Sequence, residues 1–304
     1  MTERARNVAA SVRARLANVA ANTGDDYNLL LVRYGLERLL YRLGQSEHRP
    51  SFVLKGALLF SLWGGTRFRA TRDLDLLGFG DRAVAHLVSI FEDICRTPVS
   101  DDGVAFDPRS VRGDAIRTID EYGGVRINLR GQLGTAIIAI QVDIGFGDAM
   151  TPPPQEASYP TLLEMPQPVI RVYSRETVIA EKTEAIAKLG MLNTRLKDYF
   201  DLHFLATRFD FDGATLSEAM KATFSRRGTP VPDEAPAGLT RQFSTDANKL
   251  IQWSAFLNRV RVPPPEKTFP ELVAFLAEFL VPPLVPTSRI GFGRKWLANG
   301  PWTT

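Results

Sequence analysis

Cysteine is nearly absent from this chain of 304 residues: Cys95 stands alone. One thiol excludes an intrachain disulfide framework and fits a reducing compartment. Histidine is scarce too, and His48, His86 and His203 lie far apart. Without thiolates or clustered imidazoles, the chain has no material for a structural zinc site. No apolar run is long and clean enough to span a bilayer. The opening MTERARNVAASVRARLANVA carries arginines but no apolar core ahead of a cleavage site, so it reads as a structural helix and not a secretory signal. A soluble, cytoplasmic protein is expected. Charge of one sign is not in excess either, since 37 basic and 34 acidic residues leave +3. That is too mild to mark a nucleic-acid binder by itself, although it permits a local positive face. Neither a P-loop signature nor a GxGxxG ahead of a helix occurs, which leaves both kinds of nucleotide site unsupported.

What is present is an ordinary globular balance, 44% hydrophobic and 23% charged, enough for one large domain or two modest ones. The pattern changes character after Pro152-Pro153-Pro154, which predicts a mixed α+β core over 1–165 and a mainly helical lobe over 166–304. Helical periodicity marks 4–20, 26–43 and 81–96 in the first part. Phe52-Val53-Leu54, Leu74–Leu77, Val125–Leu129 and Ala136–Gly145 read as extended, the last two joined as a hairpin through Arg130–Gly134. The nearly continuous apolar run before Asp143 predicts a central strand covered on both faces. Residues 98–113 read as a polar connection, and 147–168 as a turn-rich crossover. Helices are expected over 175–189, 192–208, 215–226, 243–261 and 271–281.

The chemistry-bearing stretch is Arg69-Ala70-Thr71-Arg72-Asp73-Leu74-Asp75-Leu76-Leu77. In an extended chain, residues two apart share a face, so Asp73 and Asp75 point together while Leu74 and Leu76 enter the core. An Asp-Leu-Asp triplet alone is an ordinary cap on a strand or turn. Asp143 changes the odds, because a carboxylate near the end of a second apolar strand needs a partner. Three such carboxylates repel, and a divalent cation offsets that repulsion. Magnesium suits hard oxygen ligands beside phosphate. Lys55-Gly56 precedes a helical stretch whose free amides could meet phosphate, though such pairs are also common turn residues. Arg67, Arg69 and Arg72 either offset the acidic triplet, touch phosphates or are solvated. Lys182 falls in the apolar stripe of its helix, as a snorkelling side chain or as a phosphate-holding point charge. Asp198 lies where it could pair with Lys182, and Arg195 where it could face substrate; a surface ion-pair network is the competing account. Asp148 follows two glycines and reads as a loop residue.

The ordered series Arg33-Tyr34, Glu37–Leu43, Phe52–Ala57, Arg69–Leu77, Val142-Asp143, Glu181-Lys182 and Lys197–Leu202 resembles the AbiEii/AbiGii class of abortive-infection nucleotidyltransferase toxins, over roughly residues 10–210. The resemblance implies a DNA polymerase beta-like core with a helical lobe. It also implies Asp73 and Asp75 as magnesium ligands, Asp143 as the third carboxylate, and catalytic roles for Lys182 and Asp198. Lys55, Gly56, Arg67, Thr71 and Arg195 would lie along the nucleotide. Here Lys55-Gly56-Ala57 stands where the family often has Gly-Gly or Gly-Ser, and the segment between Asp75 and Asp143 is long. The implied reaction moves a nucleoside monophosphate from a triphosphate to an RNA hydroxyl, at the 3′ end of transfer RNA, with a cognate antitoxin as partner. A nucleotidyltransferase acting on protein hydroxyls, or a non-catalytic nucleic-acid or protein-binding module, would carry much of the same pattern.

Overall fold

The computed structural model describes residues 7–64, 71–116, 123–260, 264–285 and 292–304. Arg67 and Arg69, expected near the nucleotide or the acidic triplet, lie outside the described residues. Packing divides the chain into Met1–Gly147 with Gln155–Val172, and Asp148–Pro154 with Tyr173–Thr304. The boundary expected at 165/166 falls within Gln155–Val172 of the first unit. The short triple-proline segment belongs to the second.

The first unit opens with helices α1 (Val8–Thr23) and α2 (Tyr27–Gln45). Asp26 caps α2, its side chain accepting from the Leu29 amide at 3.1 Å, as an aspartate at that position does. Next come β1 (Phe52–Lys55), the short α3 (Leu59–Gly64), β2 (Asp73–Gly78) and α4 (Val84–Arg96). Strands β3 (Val104–Ile116), β4 (Gly124–Leu133), β5 (Ala136–Phe146), β6 (Gln155–Ser158) and β7 (Val169–Val172) complete it. They form one mixed sheet in the order β3-β4-β5-β2-β1-β7-β6. Leu54, Leu74, Leu76, Val142 and Ile144 are buried on one face, against which α2 and α4 pack. Gly35 lets α2 approach closely, since a Cβ there would come within 2.9 Å of Ile138 Cγ2.

Three expectations are corrected here. Residues 98–113 are not a connection, because β3 begins at Val104 and forms the sheet edge. Pro108 and Gly113 disguise it, yet both are tolerated on an edge strand, and the register shifts between Asp107 and Arg112. Strand β5 is central but not covered on both faces, since Ile137 is 72% exposed while Ile138 and Ile140 are buried. The crossover 147–168 also contains a strand, β6.

Buried polar groups fix these pieces to α2. Arg42 reaches Asp102 through Nη1 at 2.8 Å and Nη2 at 3.1 Å, and donates to the Val104 carbonyl at 2.9 Å. Tyr34 donates to the Asp102 carbonyl at 2.7 Å. Glu37 accepts from the Leu162 amide at 3.0 Å, and Arg38 donates to the Pro166 carbonyl at 3.1 Å. Several residues that carry the resemblance are thus braces for the entry to β3 and for the segment ahead of β7.

The second unit is helical apart from a small sheet. It contains α5 (Arg175–Leu189), α6 (Leu196–Arg208), β8 (Phe211–Asp212), α7 (Gly213–Arg226), α8 (Arg241–Ser244), α9 (Ala247–Arg259) and α10 (Phe269–Leu284). Strands β9 (Lys295–Trp296) and β10 (Trp302–Thr303) join β8 in the order β10-β9-β8. Aromatic packing holds it, with Trp253 stacked on Phe269 at 4.9 Å and Tyr199 on Phe243 at 5.4 Å. The single helix expected over 243–261 is broken near Thr245, where Asp246 caps a new start by accepting from the Asn248 and Lys249 amides. The helix expected from 192 starts at Leu196 instead, after a 3-10 turn over Gly190–Leu192. No described helix is long and apolar enough to cross a membrane.

Arg42 and Asp102 are 6% and 3% exposed, so removing one leaves the other buried and unpaired. Asp102→Ala should cost about 3–5 kcal/mol of stability, read as a lower urea midpoint at an unchanged m-value.

Candidate active site

Strand register brings charged side chains from four strands into one row. Strands β1 and β2 are antiparallel with Lys55 opposite Asp75, β2 and β5 are parallel with Asp75 beside Asp143, and β4 and β5 are antiparallel with Arg126 opposite Asp143. Paired residues on neighbouring strands point to the same face about 4.8 Å apart, so Lys55, Asp75, Asp143 and Arg126 stand side by side. Asp114 on β3 continues the row opposite Arg126. All lie on the face opposite the leucines and valines that meet α2, which is why the period of two in DLDLL and in IAIQVDI matters. Asp73 sits two residues before Asp75, beside Gln141, and its amide donates to Thr71 Oγ1 at 3.4 Å.

Gly56 gives Asp75 its place. Its φ is +73°, and a Cβ there would overlap Asp75 Oδ2 and come within 2.6 Å of Asp75 Cγ. Only glycine meets both demands. The residues Gly56–Leu58 form a 3-10 turn and α3 has six residues, so the helix expected after Lys55-Gly56 is short. The glycine's clearest role is the cradle for a carboxylate.

Asp143 is held by a partner that its own strand does not reveal. Arg126 donates Nε to Oδ1 and Nη2 to Oδ2, both at 2.8 Å, and Gln141 Nε2 lies 3.3 Å from Oδ2. This is a two-pronged guanidinium–carboxylate contact. The Asp143 hydrogen bonds raise the Arg126 pKa above its usual value, and the nearby Asp73 and Asp114 charges add to that. The Arg126 side chain is 42% exposed. Among the described residues, no three of the histidines, cysteines, aspartates and glutamates group closely enough to hold a metal ion. The oxygen ligands are of the right type for magnesium and Gly56 admits the Asp75 carboxylate, but both Asp143 oxygens are engaged by Arg126.

Lys182, Asp198 and Arg195 come together within the second unit. Lys182 Nζ donates to Asp198 Oδ1 at 2.6 Å and to Asp201 Oδ2 at 2.8 Å, while Arg195 Nε donates to Asp198 Oδ2 at 2.7 Å. Both aspartates have no side-chain exposure, and Lys182 has 13%. Asp201 is the anchor that sequence reasoning left without a role; its position three residues after Asp198 puts it on the same side of α6. Burial pushes the Asp198 carboxyl up, but Lys182 and Arg195 outweigh it and hold the pKa below the usual value. Asp148 belongs to the second unit, with Arg227 at 3.3 Å and the Tyr173 hydroxyl at 3.3 Å. Arg227 also pairs with Glu181 at 3.2 Å and Glu184 at 2.9 Å.

A family model for the nucleotidyl transferase AbiEii toxin of type IV toxin–antitoxin systems matches residues 38–276. The chain belongs to this family. It is thus a nucleotidyltransferase of the toxin class, and the sheet row and the Lys182 cluster both fall within the matched region. No curated protein matches it significantly. Among solved structures, a Helicobacter pylori protein with a provisional nucleotidyltransferase label aligns over 82% of this chain and 91% of its own, at 18% identity and a TM-score of 0.44. JHP933 from Helicobacter pylori aligns over 78% and 83%, also at 18% identity, with a TM-score of 0.41.

Two outcomes follow from this geometry. Gly56→Ala should lower the thermal midpoint by the equivalent of about 1–2 kcal/mol, because backbone and carboxylate must both shift. Asp198 has a depressed pKa when folded, so its stabilisation is full above the ordinary carboxyl value of 3.8 and is lost as pH falls through the folded value. Asp198→Asn should cost about 2 kcal/mol at neutral pH, less than the roughly 3–5 kcal/mol for losing a sole partner, because Asp201 remains. Its acid denaturation profile should be shallower than that of the unsubstituted protein; an identical slope in the two would refute the assignment.

Proposed function

We propose that this nucleotidyltransferase moves a nucleoside monophosphate from a nucleoside triphosphate to an RNA hydroxyl, with magnesium as cofactor and the 3′ end of transfer RNA as the preferred acceptor. The observation that carries the reading is the in-register placement of Asp75 and Asp143 on one face of the sheet, with Asp73 two residues from Asp75. Asp73, Asp75 and Asp143 would hold the cation. Magnesium would neutralise phosphate charge and lower the pKa of the acceptor hydroxyl.

The chain's own residues supply the rest. Gly56 keeps the Asp75 carboxylate at one position, and fixed ligands cost no reorganisation at the moment of reaction. Lys55, next to Asp75 in the row, and Thr71, beside Asp73, stand where phosphate oxygens would approach. Lys182 is pinned by Asp198 and Asp201, which lock a flexible side chain as a fixed positive charge, and Arg195 lends Asp198 a second cation. The hydroxyl oxygen forms a bond to the α-phosphorus as the bond to pyrophosphate breaks, and the hydroxyl proton leaves with solvent or a carboxylate. The family's toxin character fits a cognate antitoxin as a protein partner and a cytoplasmic site of action.

Incubation with each α-labelled triphosphate, magnesium and total RNA should label RNA, and Asp75→Ala should lower the yield about 100-fold or more. Label that survives ribonuclease and disappears with protease would instead identify a protein acceptor. Folded protein that labels neither would reject the reading.

A further inference from the structure

Arg126, in the sheet row, has no part in the reading above, and it touches the residue on which that reading most depends. Both carboxylate oxygens of Asp143 accept from Arg126, at 2.8 Å each. A carboxylate bound by a guanidinium on both oxygens has its best lone pairs directed at that cation. A divalent ion that uses Asp143 would therefore compete with Arg126 for those lone pairs.

We propose that Arg126 is a positioning residue that competes with the divalent cation for Asp143, and that it gives up Asp143 when a triphosphate offers its own oxygens. This rests on the reading of Asp73, Asp75 and Asp143 as the cation ligands. Three observations support it. The first is position, since Arg126 lies directly opposite Asp143 on β4 in the same row as Asp75, so its guanidinium occupies the side of Asp143 away from Asp75. The second is mobility of charge. The Arg126 side chain is 42% exposed, whereas that of Asp143 is 22% exposed, and a half-exposed arginine can swing to a phosphate without leaving a buried hole. The third is the lack, among the described residues, of any three grouped metal-binding side chains, although register brings Asp75 and Asp143 together.

Such an exchange makes cation and nucleotide help one another. Arginine matches phosphate oxygens as well as it matches carboxylate, so the triphosphate takes over the guanidinium while the cation takes over Asp143. Each ligand then raises the affinity for the other by the same factor. Cation alone would bind poorly, and the carboxylates would be kept from holding an ion with no substrate present.

The test measures manganese binding directly, by the loss of the free-ion electron paramagnetic resonance signal, with and without a non-hydrolysable triphosphate. The full-length protein, Arg126→Gln, Arg126→Lys and Asp143→Asn would be compared. In Arg126→Gln, manganese alone should bind about twofold to fivefold more tightly than in the parent protein, the size expected for a partly exposed charge pair. The same variant should bind triphosphate more weakly, so the help that each ligand gives the other shrinks. Arg126→Lys, which keeps the charge and loses the fork, should fall between. A merely structural role for Arg126 would weaken manganese binding or leave it alone, and either result in a folded Arg126→Gln overturns the proposal. If the parent protein binds manganese neither alone nor with triphosphate, the assignment of the three carboxylates fails, and the exchange fails with it. If the parent binds manganese and Asp143→Asn does not, while Arg126→Gln matches the parent, the carboxylate assignment stands and the role of Arg126 is refuted.

Discussion

Strand register governs this molecule. A β-strand offers alternate residues to alternate faces, so a slip of one residue on β2 or β5 would drive Asp75 or Asp143 into the packing around α2 and expose leucines and valines instead. The apolar alternation of those strands and the position of their carboxylates are one constraint seen from two sides. Burial of Leu74, Leu76, Val142 and Ile144 holds the register, and the register holds the carboxylates adjacent. Burying the apolar row is strongly favourable, whereas two neighbouring like charges are not. The core thus offsets an arrangement that the charges alone would break apart.

The flanking cations follow the same logic. Lys55 and Arg126 stand at either end of the two carboxylates, so these four charges sum to zero, and Asp114 adds a negative charge beyond Arg126. The second unit repeats the principle in a helical setting, where Asp198 and Asp201 share Lys182. There the charges are almost wholly withdrawn from water, which makes the pairing costly to break and fixes the lysine. In the sheet the pairs are half exposed and can be remade.

Much of this was legible in the sequence, and the misses have physical causes. DLDLL alternates cleanly, so the shared face of Asp73 and Asp75 could be read directly, whereas the apolar run before Asp143 marked a strand but hid its open face. Asp198 as a partner of Lys182 followed from helical spacing. Strand β3 was hidden because Pro108 and Gly113 read as breaks, and an edge strand tolerates what a central one does not. Arg126 was within reach but not found. The hairpin turns at Gly134-Thr135, with Leu133 paired to Ala136, and counting back residue by residue sets Arg126 against Asp143. Reading the turn as five residues instead of two concealed that pairing. The buried brace of Arg42 with Asp102 had no local signal, since the two are 60 positions apart and meet only when the sheet is complete. The small sheet of the second unit was equally silent, because its strands have two residues each.

The crossover between β2 and β5 has a consequence for how such chains are compared. Everything from α4 through β4 is spliced between two strands that lie next to each other, and it is stacked outward along one margin of the sheet. Lengthening or shortening that excursion would leave the neighbours touching, so linear distance between the two carboxylates is free to drift. What cannot drift is odd-or-even position within each strand. Kinship among these proteins is therefore better sought in matching parity than in matching gaps.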